Sequence, residues 1–206
     1  MIIAVDGPTA SGKGTLSKML AKHFDLPHLD TGLLYRAVGR QVILNGGDPD
    51  NPADALAAVN FSNELLADPV LRNEATGSLA SRASVHPDVR TALFDRQRAF
   101  ARQEGGAVLD GRDIGTIIAP DADAKLFITA SVNARAKRRY TEMQERGVSI
   151  TLAEIKADLE RRDLRDTQRK DAPLLAAENA VVIDTSELGI EQAFAAALEI
   201  VVAACK

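Results

Sequence analysis

The chain has 206 residues, of which 46% are apolar and 26% charged, a balance typical of one globular domain, with or without a small insertion. The net charge of −4 argues against non-specific binding of nucleic acid or of a membrane surface, because both usually require a basic surface. Cys205 is the only cysteine, so no intrachain disulfide can form and a reducing compartment is expected.

No targeting or membrane-spanning segment is predicted. The first residues, Met1 to Asp6, are typical of a buried strand, which leaves no room for a signal peptide. The longest apolar stretch, residues 193–198, ends at Glu199 and is too short to span a membrane. We therefore expect a cytoplasmic protein.

Short apolar runs that alternate mostly with helical patterns predict an α/β fold with a mostly parallel sheet covered on both faces. The predicted strands are 2–5, 27–29, 107–109, 125–129 and 181–183. The predicted helices are 13–24, 32–44, 88–103, 152 to about 163, and 190–204. Thr151 and Glu154 form a capping box before the fourth helix, and the last helix is expected to bury an apolar face that includes Ile190 and Phe194.

Residues 45–87 interrupt this alternation with turn signals and weak helical patterns, and no strong strand is predicted there. We interpret this stretch as a small insertion in a single domain, 1–206, whose core is 1–44 and 88–206.

A glycine-rich segment between the first strand and the first helix predicts a phosphate-binding loop. Such a loop needs glycines to turn backbone N–H groups inward, a helix N-terminus behind them, a lysine for the outer phosphates and a hydroxyl for Mg²⁺. Here Gly14 follows Lys13, so Thr15 supplies the hydroxyl, directly or through a water, and the strict pattern fails by one residue. The alternative is a turn that only connects strand to helix. The predicted ATP-binding residues are Gly7, Pro8, Thr9, Ala10, Ser11, Gly12, Lys13, Gly14 and Thr15.

A second candidate anchor follows the second strand, where Thr31 and Gly32 are predicted to start a helix that carries Tyr35 and Arg36. In an open parallel sheet, ligands bind beyond the carboxyl ends of the strands. Arg36 is therefore expected to face the same crevice as the phosphate loop and to offer its guanidinium to a second phosphate.

These motifs resemble the bacterial cytidylate kinases over nearly the whole chain. Gly12-Lys13-Gly14-Thr15 is shared with nucleoside monophosphate (NMP) kinases generally, whereas Asp30-Thr31-Gly32-x-x-Tyr35-Arg36 is particular to the cytidylate branch. The resemblance continues through 87–90, 96–100, 110–116 and 162–174. It departs at 60–75, where many relatives carry a longer, strand-rich insertion and this chain is short and helical in pattern.

The resemblance implies a P-loop NTPase-type five-stranded parallel sheet flanked by helices, an NMP-binding insertion at about 45–87 and a lid at about 157–171. It implies phosphoryl transfer from ATP to CMP or dCMP with Mg²⁺, and the catalytic residues Lys13, Arg112 and Arg169. The implied CMP-binding residues are Thr31, Tyr35, Arg36, Ser81, Arg90, Arg112, Asp113, Arg162, Asp166 and Arg169.

Within that set, the resemblance gives the base to Ser81, Arg90 and Asp113, and the ribose hydroxyls to Arg162 and Asp166. A carboxylate suits cytosine, because the base presents an N4 donor where uracil presents an acceptor. Arg36, Arg112 and Arg169 would hold the CMP phosphate and the transferring group. Arg162, Asp166 and Arg169 recur at a spacing that places them on one face of a continuous helix.

Structural alternatives remain for several of these residues. Residues 160–171 are also typical of a solvated helix with ion pairs, Asp113 of a helix cap, and Ser81 and Arg90 of ordinary surface. Tyr35 packs either on the base or on its own helix. The basic cluster Arg135, Lys137, Arg138 and Arg139 is interpreted mainly as a solvated face, with a smaller chance of contact on the ATP side.

Two functional alternatives also remain. One is a kinase with another acceptor, such as UMP, AMP or shikimate. The other is a phosphate-loop nucleotide switch, although the Asn-Lys-x-Asp motif typical of guanine-specific switches does not occur. The three histidines show no metal-ligand spacing. A monomer is expected.

Overall fold

The five predicted apolar runs form the strands of one sheet in the computed structural model, which describes residues 1–205. The strands are β1 (Ile2–Asp6), β2 (His28–Asp30), β3 (Ala107–Gly111), β4 (Ala124–Thr129) and β5 (Val181–Asp184). Their order in the sheet is β2-β3-β1-β4-β5. Strand β1 pairs in parallel with β3 and β4, and β4 pairs in parallel with β5. The prediction of a parallel α/β sheet is therefore confirmed.

The α-helices occupy most of the remaining chain, together with two short 3-10 helices, Asn63–Ala67 and Pro69–Arg72, and a π-helix, Ile114–Ile118. In chain order they are α1 (Lys13–Phe24), α2 (Thr31–Leu44), α3 (Pro52–Ala57), α4 (Glu74–Ala83), α5 (Pro87–Ala101), α6 (Val132–Glu145), α7 (Leu152–Thr167) and α8 (Ile190–Ala204).

The predicted helix boundaries agree with α1 and α8 and differ elsewhere. The fourth predicted helix continues to Thr167 rather than to about 163, although Thr151 and Glu154 form the expected capping box. Helix α6 was not predicted as a helix; it begins after Ser131, whose side chain accepts the Ala134 N–H. Its sequence is rich in arginine and poor in apolar residues, so hydrophobic periodicity gives little signal there.

The described residues divide into two compact units. One, the sheet unit, comprises residues 1–29 and those from 101 onward, and the other, the helical unit, comprises Asp30–Phe100. The prediction of a single domain with an insertion at 45–87 stays a prediction.

The core of the sheet unit lies between the central strands and two helices. Ile3 and Val5 of β1 and Leu20 of α1 are fully buried, and they pack in one cluster with residues of β4 and α8. One expectation was wrong here, because Ile190 is 61% exposed, whereas Ala193, Ala197 and Val201 carry the buried face of α8. Burial of the central strands on both faces explains their continuous apolar runs.

The helical unit is built on α2, which packs against α4. Gly39 allows this approach, because a Cβ atom there would lie 2.8 Å from the backbone of Leu79. No residue of 45–87 is in a strand, as expected. Across residues 1–205, none of the helices has the length and apolar character that crossing a bilayer requires.

Candidate active site

The glycine-rich segment forms a tight loop between β1 and α1, as expected. Gly7, with φ of +152°, packs so closely on β4 that a Cβ atom would lie 2.0 Å from the Ile128 carbonyl oxygen. Ala10 and Gly12 also have positive φ, 62° and 92°. Such a run of backbone turns, followed by a helix N-terminus, directs N–H groups toward a single point and suits an anion.

Two polar side chains of the loop are buried inside it. The Lys13 ammonium donates to the Pro8 carbonyl oxygen at 3.3 Å, so the lysine curls back over the loop. The Ser11 side chain is fully buried, and its hydroxyl has no hydrogen-bond partner among the described residues. Buried hydroxyls are normally hydrogen-bonded, so this one suits a ligand or a water as its partner.

Arg112 follows β3 and connects the loop to helix α7. Its Nη2 donates to the Thr9 hydroxyl at 2.6 Å, and its Nε pairs with the Asp166 carboxylate at 2.7 Å. Its Nη1 donates to the Gly111 carbonyl oxygen at 3.3 Å. Three predicted site residues, Thr9, Arg112 and Asp166, are thereby brought together at the carboxyl edge of the sheet.

Helix α7 turns a charged face toward this edge. Arg162 and Asp166 are buried, which contradicts the alternative of a wholly solvated helix for residues 160–171. The Arg162 guanidinium lies 2.8 Å from the Asp158 carboxylate of the same helix. Arg169 lies beyond the end of α7 at Thr167, so it does not share a continuous helical face with Arg162 and Asp166. Its Nε donates to the Asp166 carbonyl oxygen at 3.4 Å. Burial alone raises the pKa of the Asp166 carboxyl, but Arg112 and Arg169 outweigh it and hold that pKa below its usual value.

Arg135 of α6 makes a second connection from the loop to α7. It is buried rather than part of a solvated face, so that expectation was wrong for this residue. Its Nη1 donates to the Thr9 carbonyl oxygen at 3.1 Å, and its guanidinium pairs with the Asp163 carboxylate at 2.5 Å. The Thr9 hydroxyl thus accepts a hydrogen bond from Arg112, and the Thr9 carbonyl oxygen accepts one from Arg135.

Two buried carboxylates lie near this edge, Asp6 at the end of β1 and Asp113 just beyond β3. Asp6 accepts the N–H groups of Ile114 and Gly115 at 2.8 and 2.7 Å. Burial raises the pKa of Asp6 to about 7, and the nearby charge of Asp113 adds to the rise. Asp113 is itself buried, and its side chain makes no capping hydrogen bond to the π-helix, so the alternative of a helix cap is wrong.

Mg²⁺ was predicted at Thr15, which is exposed in the first turn of α1. The Asp110 carboxylate lies near the residue before it, 3.9 Å from the position of a Cβ atom on Gly14. His28 contacts this carboxylate at 2.7 Å. Residues 1–205 contain no group of three or more potential metal ligands among His, Cys, Asp and Glu. These oxygens fit Mg²⁺, which proteins commonly hold with one or two carboxylates plus substrate phosphates.

In the helical unit, the second predicted anchor begins α2 as expected. The Asp30 side chain caps the helix by accepting the Leu33 N–H at 3.2 Å, and Thr31 is buried in the first turn. The Arg36 Nη1 donates to the carbonyl oxygens of Leu71 and Asn73 at 2.8 and 2.9 Å. These bonds fix the guanidinium against the turn before α4.

The other predicted residues of this unit also lie near one another. The Arg90 guanidinium stands 5.7 Å from the centre of the Tyr35 ring, and it donates to the Ser84 carbonyl oxygen at 3.5 Å. Ser81 lies in α4, where its carbonyl oxygen accepts the Ser84 hydroxyl at 3.2 Å. The Tyr35 ring therefore contacts a cationic partner, a contact that is also compatible with stacking beside a base.

Sequence reasoning missed several residues that support this site. Asp6, Asp163 and Thr185 were not predicted to take part, yet the Thr185 hydroxyl donates to the Ser11 carbonyl oxygen at 3.0 Å. Asp6 carried a usable signal, since it stands between a buried strand and the glycine loop. For Asp163 and Thr185, we see no local pattern that predicts their contacts.

Comparison with known proteins agrees with the motifs. A family model described as cytidylate kinase matches residues 3–203. A cytidylate kinase of Caulobacter sp. strain K31 is 55% identical over 97% of this chain and 93% of its own length. One of Xanthobacter autotrophicus is 53% identical over 98% of this chain and 97% of its own length.

Solved structures with similar folds include two of low sequence identity. An uncharacterized protein from Eubacterium ventriosum matches with a TM-score of 0.57 and 15% identity over 98% of both chains. TT1252 from Thermus thermophilus matches with a TM-score of 0.51 and 21% identity, covering 100% of this chain and 98% of the other. At such identities these structures bear on the fold alone.

Proposed function

The chain belongs to the cytidylate kinase family, and on that premise we propose how its residues transfer the terminal phosphoryl group of ATP to CMP or dCMP. The acceptor is a phosphate oxygen that is largely ionised at neutral pH, so the reaction needs no general base. The obstacle is electrostatic, because two polyanions must meet in line and charge must be stabilised on the transferring group.

The phosphate loop is proposed to hold ATP. Its inward-turned N–H groups would bind the phosphates, and the Lys13 ammonium would leave the Pro8 carbonyl oxygen for the transferring phosphoryl group. The buried Ser11 hydroxyl would gain its missing hydrogen-bond partner from the same phosphates. Thr15 and Asp110 would hold a Mg²⁺ ion together with ATP, and the ion would supply charge neutralisation there.

Arg112 and Arg169 are proposed to stabilise the transferring group and the CMP phosphate. The Arg112 guanidinium bonds with Thr9 and Asp166, so it is held beside the loop rather than in solvent. A guanidinium binds phosphate through two parallel hydrogen bonds, which adds orientation to charge. Arg36 is proposed as a further contact of the CMP phosphate.

Recognition of the nucleoside is proposed for the other predicted residues. Asp113 would accept the N4 donor of cytosine, with Ser81 and Arg90 as further contacts of the base. Arg162 and Asp166 would bind the ribose hydroxyls. Specificity gained this way is large, because uracil would leave a buried carboxylate unpaired. The remaining predicted CMP contacts are Thr31 and Tyr35.

Residues 157–171, in and after α7, are proposed to form the lid, and 45–87 the NMP-binding insertion. Closure of the lid would exclude water and so protect ATP from hydrolysis. The protein is proposed to act as a monomer in the cytoplasm.

One observation carries the proposal in the sheet unit: Arg112 is bonded at once to the phosphate loop and to Asp166. The test is a coupled assay of ADP formation from MgATP with CMP, dCMP, UMP, AMP or shikimate as acceptor. We expect rapid turnover with CMP or dCMP and little ATP consumption without acceptor. Slow hydrolysis that no acceptor accelerates would instead support a nucleotide switch, and preference for another acceptor would support the alternative kinases.

A pair of lysine variants completes this test. Lys13→Ala should lower turnover by roughly 10²-fold or more, as for the loss of a transition-state donor. Lys22→Ala removes an exposed lysine from the same helix and should leave turnover unchanged. Near-normal turnover of Lys13→Ala would refute the proposed role of this residue.

A further inference from the structure

Asp6 is a buried carboxylate that the mechanism above does not use. It is the last residue of β1, is 4% exposed, and stands directly before Gly7 of the phosphate loop. In the sheet it is paired with Gly111, the last residue of β3, which directly precedes Arg112. Asp6 therefore lies between the two segments that carry the proposed chemistry of the sheet unit.

Both oxygens of the Asp6 carboxylate are used. One accepts the N–H of Ile114 at 2.8 Å and the other accepts the N–H of Gly115 at 2.7 Å. These residues begin the π-helix, where the first N–H groups have no acceptor within the helix. The approach is close, since a Cβ atom on Gly115 would lie 3.4 Å from an Asp6 oxygen. Asp6 thus fixes the backbone just after Arg112 and Asp113.

The phosphate loop has supports of its own that do not involve Asp6. Arg135 donates to the Thr9 carbonyl oxygen, and Thr185 donates to the Ser11 carbonyl oxygen. The two bonds of Asp6, by contrast, both go to the segment that follows Arg112. Loss of this carboxylate should therefore displace that segment more than the loop.

We propose that Asp6 is a positioning residue for phosphoryl transfer, whose carboxylate sets the Arg112–Asp113 backbone and so places the Arg112 guanidinium beside the loop. This inference rests on the proposed function. Burial raises the pKa of Asp6 and Asp113 adds to the rise, whereas the two N–H bonds and Lys13 favour the carboxylate form and oppose it.

The test compares Asp6→Asn with Asp123→Asn. An asparagine at position 6 keeps one acceptor oxygen but presents an NH₂ group to the second N–H, so the segment must shift. The Asp123 carboxylate also accepts a backbone N–H of β1, that of Ile2 at 2.7 Å, but at the opposite end of the strand. It therefore controls for the general effect of removing a carboxylate that is hydrogen-bonded at one end of this strand.

We expect Asp6→Asn to lower kcat about 10²-fold, the size expected when a catalytic group is misplaced by about 1 Å. The KM for ATP should change far less, because the loop keeps its other supports. Asp123→Asn should leave kcat near that of the wild type. A kcat unchanged by Asp6→Asn would overturn the proposal, as would equal losses in the two variants or a KM for ATP that rises as much as kcat falls.

Two further measurements keep these outcomes separate. Asp6→Glu retains the charge but moves the carboxylate by one methylene. If Asp6→Asn does not fold, Asp6→Glu replaces it in the same assay. A kcat unchanged by Asp6→Glu would again overturn the proposal. Wild-type enzyme that lacks CMP-dependent turnover would refute the proposed function itself, whereas active wild type with unaffected Asp6 variants would refute only the role of Asp6.

Discussion

The pair of Arg112 and Asp166 gives a quantitative prediction for the sheet unit. The side chains are 22% and 9% exposed, and Nε lies 2.7 Å from Oδ2. Removal of one partner from a fully buried pair costs about 3–5 kcal/mol. Here Arg112 is partly exposed and keeps its bonds to Thr9 and Gly111, so we expect a loss nearer about 2 kcal/mol for Asp166→Asn. That loss corresponds to a fall in Tm of roughly 4–8 °C for a chain of this size.

A double-mutant cycle of Arg112→Ala and Asp166→Asn measures the interaction itself. Urea unfolding followed by circular dichroism should give a coupling free energy of about 1–3 kcal/mol at neutral pH. The exposed pair Arg102 and Asp121, 40% and 58% exposed at 2.8 Å, is the matched control and should give about 0.5 kcal/mol or less.

The sign of the pH dependence follows from the lowered pKa of Asp166. Its carboxylate stabilises the folded protein above the unfolded value of 3.8, and this contribution is lost as the pH falls through the lower folded pKa. The coupling should therefore vanish in strong acid. Additive effects of the two substitutions at neutral pH, or coupling equal to that of the exposed control, would refute the reasoning.

Two other predictions concern carboxylates of the same edge. Asp113→Asn should reduce turnover of CMP more than that of UMP, because an amide offers uracil a donor; an unchanged ratio of kcat/KM for the two acceptors would exclude Asp113 as the reader of the base. Folding raises the pKa of Asp6 from 3.8 to about 7, so the folded protein binds this proton more tightly than the unfolded chain. The free energy of unfolding of the wild type should therefore fall by up to roughly 4 kcal/mol as the pH rises from about 4 to about 7. Asp6→Asn should lack this decline, and parallel pH curves for the two proteins would contradict the raised pKa.

The sheet and the phosphate loop could be predicted because their signals are local. Continuous apolar runs identify strands buried on both faces, and a glycine-rich turn after the first strand identifies an anion site. The capping box at Thr151 and Glu154 likewise predicts a helix start from neighbouring residues.

The remaining features depend on contacts between residues distant in sequence. Arg135 is buried because Asp163 and the Thr9 carbonyl oxygen receive its guanidinium, and no spacing along the chain indicates these partners. Asp6 acquires its role from the first turn of the π-helix, which follows a different strand. The exposure of Ile190 was also not predicted. Periodicity indicates which side of a helix is buried, but it does not indicate how far along the helix axis the packed neighbours extend.

The parallel pairing of β1 has a consequence for synthesis of the chain. Ile2 is paired with Ala107 and Ile3 with Ala124, so the first apolar strand leaves the ribosome long before either neighbour exists. Pairings this distant in sequence form slowly, because a large loop must close first. The helical unit, whose helices are close in sequence, is free to fold earlier. The nascent β1 strand is accordingly the segment in most need of shielding from aggregation until β3 and β4 emerge.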